Sequence, residues 1–296
     1  MTKTLTGIGE CMIELSQADR GLLRQSFAGD VINTLWYATR HQSDKWTSSF
    51  FSAVGNDVLS DEMLQFITQG GISCERVVRI SDRRPGLYMI HLDGAERSFS
   101  YWRDHSAARL LARDKDALSD AIAASDAVYF SGITLAILND DDARYLIQLL
   151  GKARHNGTIV TFDPNIRPAL WADAENMLQT ITQAAAVSQL VLPSFDDEAK
   201  AFGDASPVDT ADRYCRAGAD ICVVKDGSNS VVVHDGNHGT QYPTPPVVGL
   251  VDTTGAGDSF NGAFLAAYLE HGDLAAAVTT AQACAARVIC HHGALI

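Results

Sequence analysis

The amino-acid sequence predicts an α/β fold with a mainly parallel central sheet, flanking helices and a small additional β-sheet. The main layer is predicted by short apolar or β-branched runs at residues 127–130, 158–162, 190–192 and 221–224. A stretch with helical periodicity follows each run, and this alternation is typical of parallel strands covered by helices. The small sheet is predicted by two regions in which apolar and polar residues alternate.

The helices of the main layer are predicted from apolar residues spaced three and four positions apart. This spacing is clear at residues 140–154 and 177–186, where it places an apolar stripe on one face of each helix. Neither an internal repeat nor a long linker interrupts the series of strands and helices. The sequence therefore predicts a single α/β domain over residues 1–296, with the small sheet as its lid.

The lid is predicted from residues 10–29 and 86–103, each of which we expect to form a β-hairpin. The sequence Asp-Gly-Ala at residues 93–95 is a plausible tight turn for the second hairpin. Both hairpins lie outside the series of alternating strands and helices, so we expect them to form a sheet of their own.

An aromatic and cationic face is predicted on the second strand of this second hairpin. Because side chains alternate along a strand, Phe99, Tyr101 and Arg103 share one face. Such a face is suited to cover a polar ligand. The alternative is an amphipathic surface sheet with no ligand.

Composition and charge narrow the class of protein. The chain has 296 residues, of which 46% are hydrophobic and 20% are charged, so it can bury a large core. Its formal net charge of −13 disfavours a nucleic-acid partner, because nucleic-acid binders usually present a basic face. A polyanionic small molecule would need Mg²⁺, a few arginines or backbone N–H groups at its site.

Targeting and metal-binding signals are missing from the sequence. There is no apolar segment typical of a secretory signal and no run of about 18 apolar residues, so we expect a cytoplasmic protein without membrane contact. The six cysteines include no Cys-x-x-Cys pair, and the nine histidines lack ligand spacing. We therefore predict no zinc site and assign no residue as a metal ligand.

The sequence predicts anion binding around residue 255. Residues 247–251 are apolar enough for a strand, and a helix is predicted to begin at Asp258. Gly255, Ala256 and Gly257 lie at the junction between them. Small residues let the backbone approach a ligand closely, and the unpaired N–H groups of a first helical turn match phosphate oxygens.

Asp258 at this junction has two interpretations. It could be an ordinary helix cap, since Asp is favoured at the N-cap position. It could instead be a general base, because phosphoryl transfer needs a positioned carboxylate near the attacking hydroxyl together with an anion hole. The local sequence leaves both interpretations open.

Two common nucleotide-binding motifs are not matched. The P-loop pattern Gly-x-x-x-x-Gly-Lys-[Ser/Thr] does not occur. Residues 7–12 begin a dinucleotide-binding pattern, but Met12 stands where the third glycine belongs. Both P-loop chemistry and NAD binding are therefore disfavoured.

The run Asp-Thr-Thr-Gly-Ala-Gly-Asp at residues 252–258 resembles, without a mismatch, the C-terminal signature of the ribokinase-like, or PfkB, family of carbohydrate kinases. Residues 28–33 are similar to the family's N-terminal signature, with Ala28 in place of its first glycine. The similarity runs over essentially the whole chain. It implies a ribokinase-like fold in which Asp258 deprotonates the hydroxyl to be phosphorylated.

Within this family the chain resembles the 2-keto-3-deoxygluconate kinases. The segments that carry this resemblance are residues 9–15, 85–88, 101–103, 131–138 and 167–171. The resemblance implies that the substrate contacts include, besides Asp258, the residues Gly29, Asp30, Asn33, Tyr88, Tyr101, Arg103 and Arg167.

The chemistry of a keto sugar acid agrees with these contacts. Arginine binds carboxylate through paired N–H donors, so we expect Arg103 and Arg167 to converge on the substrate's carboxylate. Each arginine taken alone could equally be a surface or ion-pair residue. Likewise, Tyr88 and Tyr101 could simply belong to the packed core of the lid.

The resemblance also implies a nucleotide side, where residues 223–230 form a strand that runs into a tight loop beside the phosphates and ribose. The ATP candidates are Asn165, Lys225, Gly227, Ser230, Gly255, Ala256 and Gly257. A solvated hairpin turn is the alternative for residues 225–230. The stretch matching the family's Asn-x-x-Glu motif has Ser194 in place of Asn, so no Mg²⁺ ligand is assigned there.

The expected activity is transfer of the γ-phosphoryl group of Mg·ATP to a terminal hydroxyl of 2-keto-3-deoxygluconate. One alternative is a kinase of the same fold that acts on fructose, ribose or a nucleoside. Another is a non-catalytic sensor of a sugar acid or a nucleotide. Exposed lid edges also favour pairing of subunits, so we expect a homo-oligomer.

Overall fold

The computed structural model describes residues 2–18, 21–93, 96–236 and 238–296. The strands, numbered in chain order, are β1 (Lys3–Ile8), β2 (Met12–Gln17), β3 (Leu23–Ala28), β4 (Trp46–Phe51), β5 (Ala53–Val54), β6 (Ile72–Ser73), β7 (Val78–Arg79), β8 (Gly86–Asp93), β9 (Glu96–Trp102), β10 (Ala127–Ser131), β11 (Ile159–Asp163), β12 (Leu190–Val191), β13 (Ile221–Asp226), β14 (Ser230–His234) and β15 (Gly239–Pro243). The α-helices are α1 (Asp30–His41), α2 (Val58–Gln69), α3 (Lys115–Ala123), α4 (Gly132–Ile137), α5 (Asp140–His155), α6 (Ala174–Ala186), α7 (Phe195–Phe202), α8 (Pro207–Ala217), α9 (Ala256–His271) and α10 (Leu274–Val288).

The described residues form a main sheet of nine strands in the order β15-β14-β13-β12-β11-β10-β1-β4-β6. The strands from β13 to β6 pair in parallel, whereas β14 and β15 add an antiparallel edge. The predicted mainly parallel sheet is confirmed. Such a sheet gathers the carboxyl ends of its parallel strands along one edge, which is where ligands bind in open α/β folds.

Both faces of the main sheet are covered by helices. Successive side chains of β10 alternate between the two sides, so Val128 and Phe130 pack in one core cluster and Ala127 and Tyr129 in the other. Helix α5 covers the first side, and α1 and α9 cover the second. This two-sided burial explains why the strand was recognisable as a continuous apolar run.

The small sheet has the order β3-β2-β8-β9 in the described part of the chain. The pairs β2/β3 and β8/β9 are antiparallel hairpins, and β2 pairs with β8 in parallel. Both predicted hairpins are confirmed, although the predicted turn at residues 93–95 includes residues 94–95, which lie outside the described residues.

The predicted aromatic face of β9 is also present. The rings of Phe99 and Tyr101 stack with their centroids 6.1 Å apart, and Tyr88 from β8 lies 5.9 Å from Tyr101. The Arg103 guanidinium carbon lies 5.8 Å from the Tyr101 ring centroid. The aromatic rings and the Arg103 guanidinium are therefore neighbours on one face of the small sheet, with the rings of Phe99 and Tyr101 exposed and Arg103 buried.

The strand predicted at residues 247–251 is wrong. This segment is a loop in which Val248 is 93% exposed and Leu250 is 61% exposed. Its last residue, Val251, donates a backbone hydrogen bond of 2.8 Å to Ile289 rather than to a neighbouring strand. Two prolines, Pro245 and Pro246, precede the apolar run and remove the N–H donors that a sheet would need.

No helix in the described part of the chain combines the length and apolar character needed to cross a membrane.

Candidate active site

Helix α9 begins two residues earlier than predicted, at Ala256, because Gly255 forms its N-cap with a left-handed backbone (φ 73°). A Cβ atom at Gly255 would lie 2.9 Å from Ala294 Cα, so both conformation and space require glycine. Gly255 has no side chain that could cap the N–H groups of the first turn. The start of α9 is therefore suited to bind phosphate oxygens.

The loop before this turn is held in place by Asp252. Its Oδ1 accepts hydrogen bonds from the Thr254 amide at 2.9 Å and the Thr254 hydroxyl at 2.7 Å. Its Oδ2 accepts a hydrogen bond of 2.7 Å from the Gly293 amide near the C-terminus. The first Asp of the signature thus fixes the backbone of the turn.

The second Asp of the signature, Asp258, is the third residue of α9. Its Oδ2 accepts a hydrogen bond of 2.8 Å from Asn33 Nδ2, which α1 supplies from 225 residues away in sequence. The helix-cap interpretation of Asp258 is wrong, because Gly255 occupies the N-cap position. Its carboxylate is instead held across the interface between two helices.

The surroundings of Asp258 favour its protonated form. Burial, followed by the nearby Asp30 carboxylate, raises the pKa of Asp258 to about 7, against the opposing effect of the Asn33 hydrogen bond. Asp163 raises this pKa further, and Lys225 lowers it. A carboxylate with a pKa near neutrality is suited to accept a proton during catalysis.

A polar network around Lys225 lies beside the start of α9. Lys225 Nζ donates to Asn261 Oδ1 at 2.9 Å and lies 3.5 Å from Asp163 Oδ2. Asn261 Nδ2 donates to the same Asp163 oxygen at 2.6 Å. A Cβ atom at Gly257 would come within 3.9 Å of Lys225 Nζ. The ammonium group is therefore close enough to the first turn of α9 to share an anion with its amides.

Asp30 is the first residue of α1, and its Oδ2 accepts a hydrogen bond of 2.9 Å from Asn165 Nδ2. Burial raises the pKa of Asp30, while hydrogen bonds from Ser131 and Asn165 oppose this rise. Asn165 has a positive φ of 33°, a strained conformation that often marks functional sites. The structure thus places Asn165, an ATP candidate, in direct contact with Asp30, a substrate candidate.

Gly29 joins β3 to α1 where no larger residue fits. A Cβ atom there would lie 2.4 Å from the carbonyl oxygen of Glu10. Its backbone is extended (φ 171°), so the requirement for glycine is one of space. This close approach brings the Gly29 amide to 3.4 Å from Asn33 Oδ1.

Two buried carboxylates hold the polar groups of the lid. The Tyr88 hydroxyl donates to Glu14 Oε2, and Ser26 Oγ donates to Glu14 Oε1 at 2.8 Å. Burial and the Glu14 carboxylate raise the pKa of Tyr88, so its hydroxyl stays protonated as a donor. Arg103 Nη2 donates to Glu10 Oε2 at 2.5 Å.

Arg167 follows the carboxyl end of β11 and is half exposed. Its Nη1 lies 3.2 Å from Asp197 Oδ2 and 2.7 Å from the Ile166 carbonyl oxygen. Both predicted substrate arginines, Arg103 and Arg167, therefore form ion pairs within the protein. A guanidinium has five N–H donors, so these pairs leave donors for a ligand.

Residues 225–230 span the end of β13, a turn at residues 227–229 and the start of β14. Gly227 in this turn has a positive φ of 51°, and Ser230 Oγ accepts a hydrogen bond of 2.8 Å from Gln241. The Lys225 side chain, however, is only 10% exposed. It points into the network described above and not into solvent.

No group of three or more Asp, Glu, His or Cys side chains among the described residues is arranged to hold a metal ion. Mg²⁺ that arrives with ATP needs only one or two carboxylates, because waters and phosphate oxygens complete its shell. Asp30 and Asp163, whose carboxylates lie near Asp258, would offer oxygen ligands of the type that Mg²⁺ prefers. The donor set therefore fits a nucleotide-bound Mg²⁺.

Sequence reasoning missed several residues of the site. Asp163 ends a parallel strand, a position where ligands bind in this class of sheet, so its place was a usable signal. Asn261 lies three residues after Asp258 and hence on the same side of α9. Glu10 and Glu14 lie within residues 9–15, which carry the resemblance, but their partners Arg103 and Tyr88 lie 93 and 74 residues away, so no local pattern indicated these contacts.

The fold and site together define a carbohydrate kinase, and the comparison with known families agrees. Residues 2–296 match the pfkB family of carbohydrate kinases, so the chain belongs to that family. The crystal structure of a PfkB protein from a Polaromonas species has the same fold, with a TM-score of 0.84 at 25% identity, covering 99% of this chain and 97% of that one.

Within the family, the chain is similar to 2-dehydro-3-deoxygluconokinases. The one from Haemophilus influenzae is 37% identical over 302 residues, covering 99% of this chain and 96% of the relative. The one from Dickeya dadantii is 36% identical over 302 residues, covering 100% and 97%. The predicted resemblance to this group, whose substrate is also called 2-keto-3-deoxygluconate, is confirmed.

Proposed function

We propose that this chain transfers the γ-phosphoryl group of ATP to the terminal hydroxyl of 2-keto-3-deoxygluconate, giving 2-keto-3-deoxy-6-phosphogluconate. The observation that carries the chemistry is the position of Asp258, a carboxylate with a pKa of about 7 on the first turn of α9. The full-length similarity to 2-dehydro-3-deoxygluconokinases supports the choice of acceptor.

Asp258 accepts the proton of the attacking hydroxyl. The hydroxyl oxygen forms a bond to the γ-phosphorus, and the bond from that phosphorus to the β-phosphate oxygen breaks to release ADP. The amides of Gly255, Ala256 and Gly257 stabilise the charge on the transferred group, that of Ala256 while also donating to the Thr253 carbonyl oxygen at 3.2 Å. Lys225 adds a positive charge beside them. Mg²⁺, when bound with ATP, supplies further charge neutralisation.

The acceptor lies between the lid and the carboxyl ends of the parallel strands. Arg103 and Arg167 bind its carboxylate, and Tyr88 and Tyr101 cover it. The hydroxyls of the acceptor contact Gly29, Asp30 and Asn33, which lie at the N-terminus of α1. The polar lid contacts favour a charged acceptor over a neutral sugar.

ATP lies on the other side of Asp258, along the hairpin of residues 225–230 and the start of α9. Gly227 and Ser230 border the nucleotide, and Asn165 bridges toward the acceptor through its hydrogen bond to Asp30. Closure of the lid excludes water, which would otherwise compete with the sugar as acceptor.

The chain acts as one catalytic unit over residues 1–296, with residues 10–29 and 86–103 as the lid. We place it in the cytoplasm. We also propose that it forms a homo-oligomer, because the edge strands β3 and β9 of the small sheet can pair with those of another subunit.

A coupled assay of ADP release tests the proposed function. The acceptors are 2-keto-3-deoxygluconate, 2-keto-3-deoxygalactonate, fructose, ribose and adenosine, each with Mg·ATP. We expect the highest kcat/KM for 2-keto-3-deoxygluconate. A higher kcat/KM for a neutral sugar or adenosine would reject the acceptor, and no ADP release with any acceptor would favour a non-catalytic sensor.

A further inference from the structure

The four strand ends at the base of the lid meet around Glu10. Glu10 itself precedes β2, and a Cβ atom at Gly29, after β3, would lie 2.4 Å from its carbonyl oxygen. A Cβ atom at Gly86, which starts β8, would lie 2.9 Å from Glu10 Oε1. Arg103, after β9, donates to Glu10 Oε2 at 2.5 Å. Glu10 therefore contacts every strand by which the lid joins the main domain.

The carboxylate of Glu10 is fully engaged, whereas the guanidinium of Arg103 is not. Glu10 is 2% exposed, and its Oε1 accepts a hydrogen bond of 2.6 Å from Ser106 Oγ. Arg103 is 7% exposed, and its Nε is enclosed without a hydrogen-bond acceptor among the described residues. Buried N–H groups of charged side chains rarely stay unpaired, so this donor is expected to find its acceptor on a ligand.

A second buried Glu–Arg pair in the same chain shows what a purely structural arrangement looks like. Arg213 Nη2 donates to Glu198 Oε2 at 2.7 Å, and Arg213 Nε donates to Asp204 Oδ1 at 3.1 Å. The rings of Phe202 and Tyr214 cover its guanidinium. Arg213 Nε thus has an acceptor and two aromatic rings lie against its guanidinium, whereas Arg103 Nε has no acceptor among the described residues. In the Arg213 pair the buried atom without a partner is Glu198 Oε1 and not an arginine donor.

We infer that Glu10 is a positioning residue, which holds Arg103 through Nη2 and leaves Nε without a protein partner, as the donor to the acceptor's carboxylate. This role rests on the proposed function. Glu10 does not touch the acceptor itself. It fixes the rotamer of Arg103. Through Gly29 and Gly86 it also sets the distance between that guanidinium and the N-terminus of α1.

The first test is a double-mutant cycle with Glu10→Gln, Arg103→Ala and the double variant. We expect each single change to raise the KM for 2-keto-3-deoxygluconate by about tenfold or more, the scale of one charge-assisted hydrogen bond. The kcat and the KM for ATP stay within about threefold of the wild-type values. The KM of the double variant for 2-keto-3-deoxygluconate should not exceed the higher of the two single-variant KM values, because both changes remove the same contact.

A second variant separates binding from folding. Arg103→Lys keeps a positive charge for Glu10 but lacks Nε, so it should retain the wild-type melting temperature and still raise the KM for the sugar acid. The matched control is Glu198→Gln, which removes the charge of the structural pair. It should lower the melting temperature without changing the KM for the acceptor.

Three results would overturn the role of Glu10. The first is a KM in the double variant that rises by the product of the two single increases. The second is a normal KM for Arg103→Lys, and the third is a Glu10→Gln effect confined to kcat. If the wild-type chain prefers another acceptor, the proposed function fails, and the same cycle run with that acceptor still decides the role. Non-additive KM effects there would support a positioning role, and multiplicative ones would reject it.

Discussion

The carboxylates of the proposed catalytic centre and those of the lid differ in how closely they approach one another. In the centre, burial raises the pKa of Asp30 and of Asp258, and neighbouring carboxylates raise both further, Asp163 for Asp30 and Asp30 with Asp163 for Asp258. In the lid, each carboxylate accepts hydrogen bonds from two donors. Glu10 accepts from Arg103 and Ser106, and Glu14 accepts from Tyr88 and Ser26.

This difference separates two tasks. A carboxylate with other carboxylates nearby takes up a proton near neutral pH, which suits the task of a general base. Matched carboxylates fix the direction of a donor, which is useful for recognising a substrate. The comparison predicts that changes in the centre alter kcat and its pH dependence, whereas changes in the lid alter KM.

The largest effect is expected from Asp258→Asn, which removes the proposed proton acceptor. Turnover should fall by at least about a hundredfold, the usual scale for loss of a general base. Binding of ATP, followed by calorimetry, should change little because the amides of the α9 turn remain.

Asp273→Asn is the matched control for this variant. Asp273 is a true N-cap, whose Oδ1 accepts hydrogen bonds from the amides of Ala275 and Ala276, and Asn can serve the same purpose. Its turnover should match that of the wild type. Near-normal turnover in Asp258→Asn would remove Asp258 from the mechanism and erase the contrast between the two regions.

A smaller effect is expected in the lid from Glu14→Gln. The amide cannot accept from both Tyr88 and Ser26, so the Tyr88 hydroxyl loses its fixed direction. We expect the KM for the sugar acid to rise roughly threefold to tenfold, the net contribution of one hydrogen bond, with little change in kcat.

The control for the lid is Glu62→Gln, which alters an exposed carboxylate that accepts a hydrogen bond of 3.2 Å from Gln25 on the outer strand β3. Steady-state kinetics of this variant should be unchanged. A fall in kcat with constant KM in Glu14→Gln would contradict the division of tasks.

The pH dependence of the centre is tested with Asn33→Ala. The Asn33 hydrogen bond stabilises the ionised form of Asp258 and so lowers its pKa. Without it, the pKa of Asp258 rises, and the acid limb of the kcat/KM profile should move to higher pH by roughly 0.5. An acid limb that stays in place would show that Asp258 does not control that limb.

The smallest effect concerns stability. Because the pKa of Asp258 is raised to about 7 in the folded chain, ionisation favours the unfolded chain as pH rises from about 4 to 7. Asp258→Asn removes this cost, so its melting temperature should exceed that of the wild type by about 2–4 °C at pH 8. The difference should shrink toward pH 5, where the folded wild type is protonated, and a lower melting temperature at pH 8 would contradict the raised pKa.

Much of the architecture was predictable from the sequence. The runs at residues 127–130 and 158–162 became β10 and β11, and the amphipathic stretch at residues 140–154 became α5. Each depends on a period that is repeated within the segment itself. The strand expected at residues 247–251 failed because apolar composition does not supply a pairing partner, and the loop there bonds to Ile289 instead.

For the site, the sequence by itself determined the turn at Gly255 and the presence of Asp258 within it, because the conformation of a short turn depends on its own residues. Only the tertiary structure showed what holds the Asp258 carboxylate, since its donor Asn33 lies 225 residues away. It also decided the surroundings of Arg103, whose partner Glu10 is 93 residues distant. Local periodicity describes one element at a time, whereas proton affinity and donor direction arise where several elements pack together.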